Sequence, residues 1–259
     1  MKSGRRLRQP DAGAAVLDNV IRGNRGGGVR VVSYAYRDNA FISQDVVVTT
    51  TPSATIPATA SSCSAKAFFE AVVISQDVTL TGNAITSNGG QGIDDVSNFA
   101  SGDGALVSQY LSIGLNTIAG NDNNGIRVFN RAYAATVTQD VRLTSNFVSS
   151  NGENGIFFSA YAHNFVISSI DVYVAAGGNR VTSNGADGSR AYQNGNGRFQ
   201  HFTLGTQDSV TFNTGHGINL SATGGAALHL HTGRAAISER NGLTPQVYAH
   251  GPGTIIVLP

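Results

Sequence analysis

Two adjacent carboxylates, Asp94 and Asp95 in Gln91-Gly92-Ile93-Asp94-Asp95, are the first residues whose types could do chemistry. With a histidine such as His216, in Gly215-His216-Gly217-Ile218, they supply the groups for acid/base cleavage of a glycosidic bond. Arg127 is the cation nearest to Asp94 in the register developed below. If the chain is an enzyme, Asp94, Asp95 and Arg127 are its catalytic candidates. A second set, Arg131, Tyr133, Tyr161 and His163, combines rings with polar groups that suit the faces and hydroxyls of sugars. These four are the glycan-binding candidates. His229 and His231 alternate in Leu228-His229-Leu230-His231, so both imidazoles leave one strand face, but two ligands do not make a metal site. No metal and no cofactor is expected. Cys63 is the single cysteine, which excludes an internal disulfide; it lies in Ser61-Ser62-Cys63-Ser64 and reads as a free thiol in a loop.

These residues are held by a repeat. Its skeleton is Asn, then Ile or Val two residues on, Asn three further, and Gly four further, followed by an apolar residue. It reads Asn83, Ile85, Asn88, Gly92, Ile93; Asn116, Ile118, Asn121, Gly125, Ile126; Asn146, Val148, Asn151, Gly155, Ile156; and Asn179, Val181, Asn184, Gly188. An earlier copy begins at Asn19, and a later one begins at Asp208 and ends in Gly217-Ile218. The starts are separated by 64, 33, 30, 33 and 29 residues, and 64 is two periods. A fixed period in this range marks a solenoid. A second anchor precedes each copy: Ser43-Gln44-Asp45-Val46, Ser75-Gln76-Asp77-Val78, Ser108-Gln109-Tyr110-Leu111 and Thr138-Gln139-Asp140-Val141.

After each anchor, apolar and polar residues alternate, as in Val141, Leu143 against Arg142, Thr144. That period of two means a strand with one face inward. Each unit therefore reads as three short strands: one from the anchor, a brief Asn-x-Ile piece, and one from the Gly-Ile pair. The Asn slots and Asn-Gly steps read as corners, because both residue types tolerate left-handed backbone. Stacked Asn side chains can also bond along the stack as a ladder. Residues 49–66, with Pro52 and Pro57, and residues 185–197, rich in Gly and Asn, read as loop insertions. The expected organisation is a basic segment 1–13, repeats over 14–224, and an irregular segment 225–259. The expected fold is an all-β, single-domain right-handed parallel β-helix of about six or seven coils, with a period of about 29–33 residues.

The Asn-x-Ile…Asn…Gly-Ile skeleton over residues 14–224 resembles the right-handed parallel β-helix repeats of the pectate-lyase-like superfamily. That resemblance implies the fold. It leaves open several functions: polysaccharide lyases, glycoside hydrolases, sugar epimerases, phage tailspikes and passenger domains of bacterial surface proteins. Gly215-His216-Gly217 is similar to an element of polygalacturonase-like hydrolases. Register argues otherwise. Gly217 is the repeat's Gly slot, and His216 fills the variable position held by Gln91, Asn124, Asn154 and Asp187. Asp95 also lies about four coils from His216, about 19 Å along the axis.

Within the repeat, Asp95 falls in a slot that holds Val31, Val128, Phe158 and Leu220 elsewhere. An inward carboxylate there needs partners, so a bulge turning Asp95 outward is expected. Two past the Gly, Arg30, Asp94, Arg127, Phe157, Arg190 and Asn219 form an outward column in which Asp94 and Arg127 are neighbours. Six past it come Tyr34, Asn98, Arg131, Tyr161 and Asn194; eight past it, Tyr36, Ala100, Tyr133, His163 and Asn196.

Charged residues are 13% of the chain and the net charge is +1, so no footprint for nucleic acid is expected. No apolar run reaches the length of a bilayer-spanning helix, so no membrane insertion is expected. Hydroxyls and amides replace charge, as in extracellular solenoids. The repeat begins almost at once, without a cap, so an N-terminal extension or cap is expected upstream of Met1. The expected function is a non-catalytic, secreted or surface-displayed bacterial solenoid, passenger- or adhesin-like, with a polysaccharide or cell-surface glycan as its partner. The alternative is a polysaccharide-processing enzyme (lyase, glycoside hydrolase or epimerase) on the same scaffold.

Overall fold

Short runs of Val, Ile and Leu alternating with Ser, Thr and Asn give strands, and the repeat sets each strand beside its counterpart one period away. The structure, a computed structural model, describes residues 12–17, 29–35, 40–49, 55–56, 61–68, 72–163, 169–195, 200–204, 208–223, 227–232, 237–243, 247–251 and 254–258. Every described element is a strand. In chain order, β1 (Ala12–Leu17) and β2 (Val29–Ala35) come first. They are followed by β3 (Phe41–Thr49), β4 (Thr55–Ile56) and β5 (Ser61–Phe68), then β6 (Val73–Thr81), β7 (Ala84–Thr86) and β8 (Ile93–Ser101). Next come β9 (Leu106–Gly114), β10 (Thr117–Ala119) and β11 (Ile126–Tyr133), then β12 (Thr136–Thr144), β13 (Phe147–Ser149) and β14 (Ile156–His163). The chain continues through β15 (Ser169–Gly177), β16 (Arg180–Thr182), β17 (Ser189–Gly195), β18 (Gln200–Leu204), β19 (Ser209–Thr211) and β20 (Ile218–Thr223). It ends in β21 (Ala227–Thr232), β22 (Ile237–Glu239), β23 (Val247–His250) and β24 (Thr254–Leu258).

All pairings are parallel and join each strand to its equivalent in the neighbouring turn. They make three sheets. The first has nine strands (β1-β3-β6-β9-β12-β15-β18-β21-β24), the second seven (β22-β19-β16-β13-β10-β7-β4) and the third eight (β2-β5-β8-β11-β14-β17-β20-β23). The all-β parallel β-solenoid expected from the repeat is the observed fold. The stack depth differs from the expected six or seven coils. One reason is that strand pairing continues past residue 224, through β21–β24, where the Asn signature has faded. Residues 49–66 are not one loop: β4 pairs with β7, and β5 pairs with β2 and β8. Cys63 accordingly lies in a strand, not a loop; its side chain lies outside the described residues. Residues 185–197 are not one loop either, since residues 189–195 form β17, which pairs with both β14 and β20; residues 196–197 lie outside the described residues. Gly188 is a repeat slot, and Asn194 and Gly195 lie within the pairing of β17 with β14. Residues 1–11 lie outside the described residues.

The interior is a set of columns. Ile85, Ile118, Val148, Val181 and Val210 stack in one, and Ile93, Ile126 and Ile156 in another, all buried. Burying each such side chain contributes about 1.5–3 kcal/mol. Gly125 is required by close approach. A Cβ there would meet Gly155 O at 2.6 Å and Val148 Cγ1 at 2.5 Å.

Polar ladders flank the apolar columns. Asn83 Nδ2 donates to Asn116 Oδ1 (2.9 Å), Asn116 Nδ2 to Asn146 Oδ1 (3.0 Å), Asn146 Nδ2 to Asn179 Oδ1 (2.9 Å), and Asn179 Nδ2 to Asp208 Oδ1 (2.9 Å). A second ladder runs Asn88, Asn121, Asn151, Asn184, Asn213, Asn241. The glutamines of the strand anchors form a third, internal ladder. Gln109 Nε2 donates to Gln76 Oε1 at 2.8 Å and Gln76 Nε2 to Gln44 Oε1 at 3.2 Å. The anchor Asp residues face out, with Asp45 and Asp77 exposed. The ladder asparagines are not the left-handed corners. The positive-φ residue is the one before each: Ser87, Leu115, Ser145, Ser150, Ser183, Phe212 and Arg240, with Gly82, Gly120 and Gly178 in the same role.

Candidate functional site

The outward positions of the eight-stranded sheet build the site. In β11, alternation buries Ile126, Val128, Asn130 and Ala132, and turns Arg127, Phe129, Arg131 and Tyr133 outward. Phe157, Tyr161 and His163 of β14 and Arg190, Tyr192 and Asn194 of β17 continue the face.

Register sets the neighbours. Asp94, Arg127, Phe157 and Arg190 make one row across β8, β11, β14 and β17. Arg131 lies beside Tyr161, and Tyr133 beside His163, as the repeat predicts. The β8 end differs. Phe129 pairs with Val96 and Asn130 with Asn98, so Ser97 is an extra residue, a β-bulge. The bulge puts Phe99 and Ser101, not Asn98 and Ala100, beside Arg131 and Tyr133. It lies after Asp95, which keeps its pairing with Cys63 and Val128, so the expected bulge at Asp95 is corrected. The Asp95 side chain lies outside the described residues.

Asp94 and Arg127 form a bidentate pair, with Nε to Oδ1 at 2.8 Å and an η nitrogen to Oδ2 at 3.2 Å. Both side chains are partly exposed, 22% for Asp94 and 30% for Arg127, so the pair stabilises by about 0–1 kcal/mol. Burial raises the Asp94 pKa above its ordinary value, against the lowering effect of the Arg127 hydrogen bond and charge.

Rings and guanidinium groups interleave over the rest of the face. Tyr133 stacks on His163 with centroids 4.5 Å apart and planes 6° from parallel. Phe99 lies 5.5 Å from Tyr133, and Phe68 lies 5.2 Å from Phe99. Tyr161 meets Phe129 at 5.4 Å and Tyr192 at 5.5 Å. Arg131 sits over Phe129 at 5.1 Å and Tyr161 at 5.8 Å, and Arg190 over Phe157 at 5.7 Å. The Nε of each of these arginines is buried without a hydrogen-bond partner. The Tyr161 phenol has a raised pKa, chiefly from burial and also from Tyr192, opposed by Arg131 and Arg190. It therefore keeps its proton at neutral pH and can donate a hydrogen bond.

His216 stands apart, in the corner slot. Gly188 N donates to His216 O at 2.9 Å, as Gly155 N does to Asp187 O at 3.0 Å. His216 N donates to Asp187 Oδ1 at 2.8 Å, and its ring stacks on Tyr248 at 4.6 Å. Four strand steps separate β8 from β20, about 19 Å, so His216 and Asp94 do not share a site. His229 and His231 lie in β21; their side chains lie outside the described residues.

Sequence reading found Arg131, Tyr133, Tyr161 and His163 but missed Phe129, Tyr192, Phe99 and Phe68. The position four past the Gly, also outward, would have found Phe129 and Tyr192. The bulge hides Phe99. No family model, no curated protein and no solved structure matches the chain.

Proposed function

We propose that the chain is a non-catalytic β-solenoid, of the pectate-lyase-like kind, that binds glycans on its eight-stranded sheet. It would act as a passenger or adhesin, secreted or displayed on a bacterial surface. The observation that carries this reading is the continuous run of rings and guanidinium groups over β8, β11, β14 and β17. Rings held side by side on a rigid sheet offer apolar faces to pyranose rings at little entropic cost, and the adjacent Arg and Tyr groups supply donors for hydroxyls. The Asp94–Arg127 geometry favours the non-catalytic side. Both Asp94 oxygens already receive Arg127 donors, which leaves that carboxylate engaged and not poised over an open position. The low charge of the chain and its exposed Thr and Ser, such as Thr117, Thr138, Thr144 and Ser145, fit an extracellular setting.

A glycan array with the purified chain, followed by a reducing-end assay on each binder, tests the proposal. The expected result is binding without new reducing ends, weakened in Tyr133→Ala and His163→Ala. New reducing ends that vanish in Asp94→Asn or Asp95→Asn would replace this reading with a polysaccharide-cleaving enzyme.

A further inference from the structure

Three rungs of the second asparagine ladder, Asn151, Asn184 and Asn241, are each followed by Gly. At these steps the fold requires both residues, for separate reasons. Asn151 Oδ1 accepts from Asn121 N at 3.2 Å and from Asn121 Nδ2 at 2.8 Å. Asn151 Nδ2 donates to Asn184 Oδ1 at 2.9 Å and to Ile118 O at 3.3 Å. A short side chain that accepts on one side and donates on the other has to be an amide. Asn184 repeats the arrangement between Asn151 and Asn213. Asn241 accepts from N and Nδ2 of Asn213 and donates to Val210 O and Glu239 O. The glycines are fixed by close approach to the preceding turn. A Cβ at Gly152 would run into Asp122 O, one at Gly185 into Gly152 O, and one at Gly242 into Thr214 O. Packing and hydrogen bonding thus impose Asn-Gly, the dipeptide most prone to deamidation, because no side chain hinders attack by the glycine nitrogen.

We propose that Asn151, Asn184 and Asn241 are self-modification sites held silent by the fold, and that opening the solenoid releases the reaction and makes unfolding one-way. In the reaction the glycine nitrogen loses its proton to base and attacks Cγ of the asparagine. The N–Cγ bond forms, the Cγ–Nδ2 bond breaks, and the amide nitrogen leaves as ammonia. Water then opens the succinimide, giving Asp by cleavage at Cγ or isoaspartate by cleavage at the main-chain carbonyl. In the folded chain both reacting groups are occupied. Gly152 N donates to Asn121 O at 2.8 Å, Gly185 N to Asn151 O at 2.8 Å, and Gly242 N to Asn213 O at 2.7 Å. The three asparagines are buried, so swinging an amide toward its own glycine nitrogen means breaking the ladder bonds. The products cannot rebuild the ladder. A carboxylate at 151 sets an oxygen against Asn184 Oδ1 and Ile118 O, with no donor to offer either. Isoaspartate also adds a methylene to the main chain, which disturbs the pairing of the next strand.

The test holds the full chain in native buffer and in guanidinium chloride at the same mildly alkaline pH and temperature. Peptide mass spectrometry reads deamidation site by site. Asn151, Asn184 and Asn241 are expected to deamidate at least about a hundredfold faster in denaturant, because the folded chain reacts only through its small open population. Asn146 and Asn179 share the ladder bonding but are followed by Phe147 and Arg180, and should stay intact in both solutions. After dilution from denaturant, recovery of the native circular dichroism should fall in step with deamidation. The three modified sites should be enriched in the chains that fail to refold. A matched incubation in denaturant at mildly acidic pH, where base-catalysed ring closure is slow, should preserve refolding. Equal deamidation rates in native buffer and denaturant would overturn protection by the ladder. Full refolding of chains deamidated at these sites, or equal loss of refolding at both pH values, would overturn one-way unfolding.

Discussion

Leu115 is among the described residues that carry backbone strain. It sits at φ 57° and is 64% exposed, so it gains little from burial while holding a left-handed conformation. The same step before the first ladder asparagine is occupied by Gly82 and Gly178 in other turns, with φ 74° and 71°. Left-handed backbone costs a Cβ-bearing residue roughly 1–2 kcal/mol. Leu115→Gly should therefore raise stability by about 0.5–1 kcal/mol, read as a higher denaturant midpoint at an unchanged slope. Asp94 permits a prediction with a definite sign. Its folded pKa is raised above the unfolded value, because burial outweighs Arg127. Its contribution is then fully present below the unfolded pKa and is lost as pH rises through the folded one. Asp94→Asn should gain stability relative to the wild type between acidic and neutral pH, measured by thermal denaturation at matched ionic strength. A relative loss over that window would mean that Arg127, not burial, dominates the site.

At the scale of the element, the ladders explain why one amide recurs at one slot. Asn146 Nδ2 donates to Ile113 O and to Asn179 Oδ1, and its own Oδ1 accepts from both N and Nδ2 of Asn116. Asn146→Ala removes these bonds and leaves buried groups in two neighbouring turns without partners. A cost of about 2–4 kcal/mol is expected in equilibrium unfolding. Thr144→Ala, exposed in the same turn, should stay within about 0.5 kcal/mol. The ladders also explain which part of the sequence was legible. Asn83, Asn116, Asn146 and Asn179 announce the period because an amide is both donor and acceptor, so it can bond upward and downward at once. Composition points to these asparagines as the left-handed corners, yet the burden falls on the preceding residue, which is Leu115 in one turn and Ser145 in the next. Backbone strain spread over unlike side chains leaves no compositional mark. The bulge in β8 is legible only in part: Asp95 in an inward slot points to an irregularity in this strand, and only pairing with β11 places the extra residue at Ser97.

For the whole molecule, parallel stacking turns repeat columns into rows along the axis. Tyr133 beside His163 and Arg131 beside Tyr161 could be foreseen from spacing alone, because one period separates each pair. The number of turns could not. Strands such as β22 and β24 hold their place by backbone pairing where only Asn241 remains of the Asn signature. The same geometry sets the aromatic face on one sheet and leaves Tyr110 and Tyr173 on another, the nine-stranded sheet. These two tyrosines are internal controls. The most direct measurement is hydroxyl-radical footprinting of the chain with and without a saturating glycan ligand, read residue by residue by mass spectrometry. The account predicts that Tyr133, Tyr161 and His163 lose labelling when the ligand binds, while Tyr110 and Tyr173 are labelled as before. Protection at Tyr173 with none at Tyr133 and Tyr161 would place the binding surface elsewhere and contradict the account.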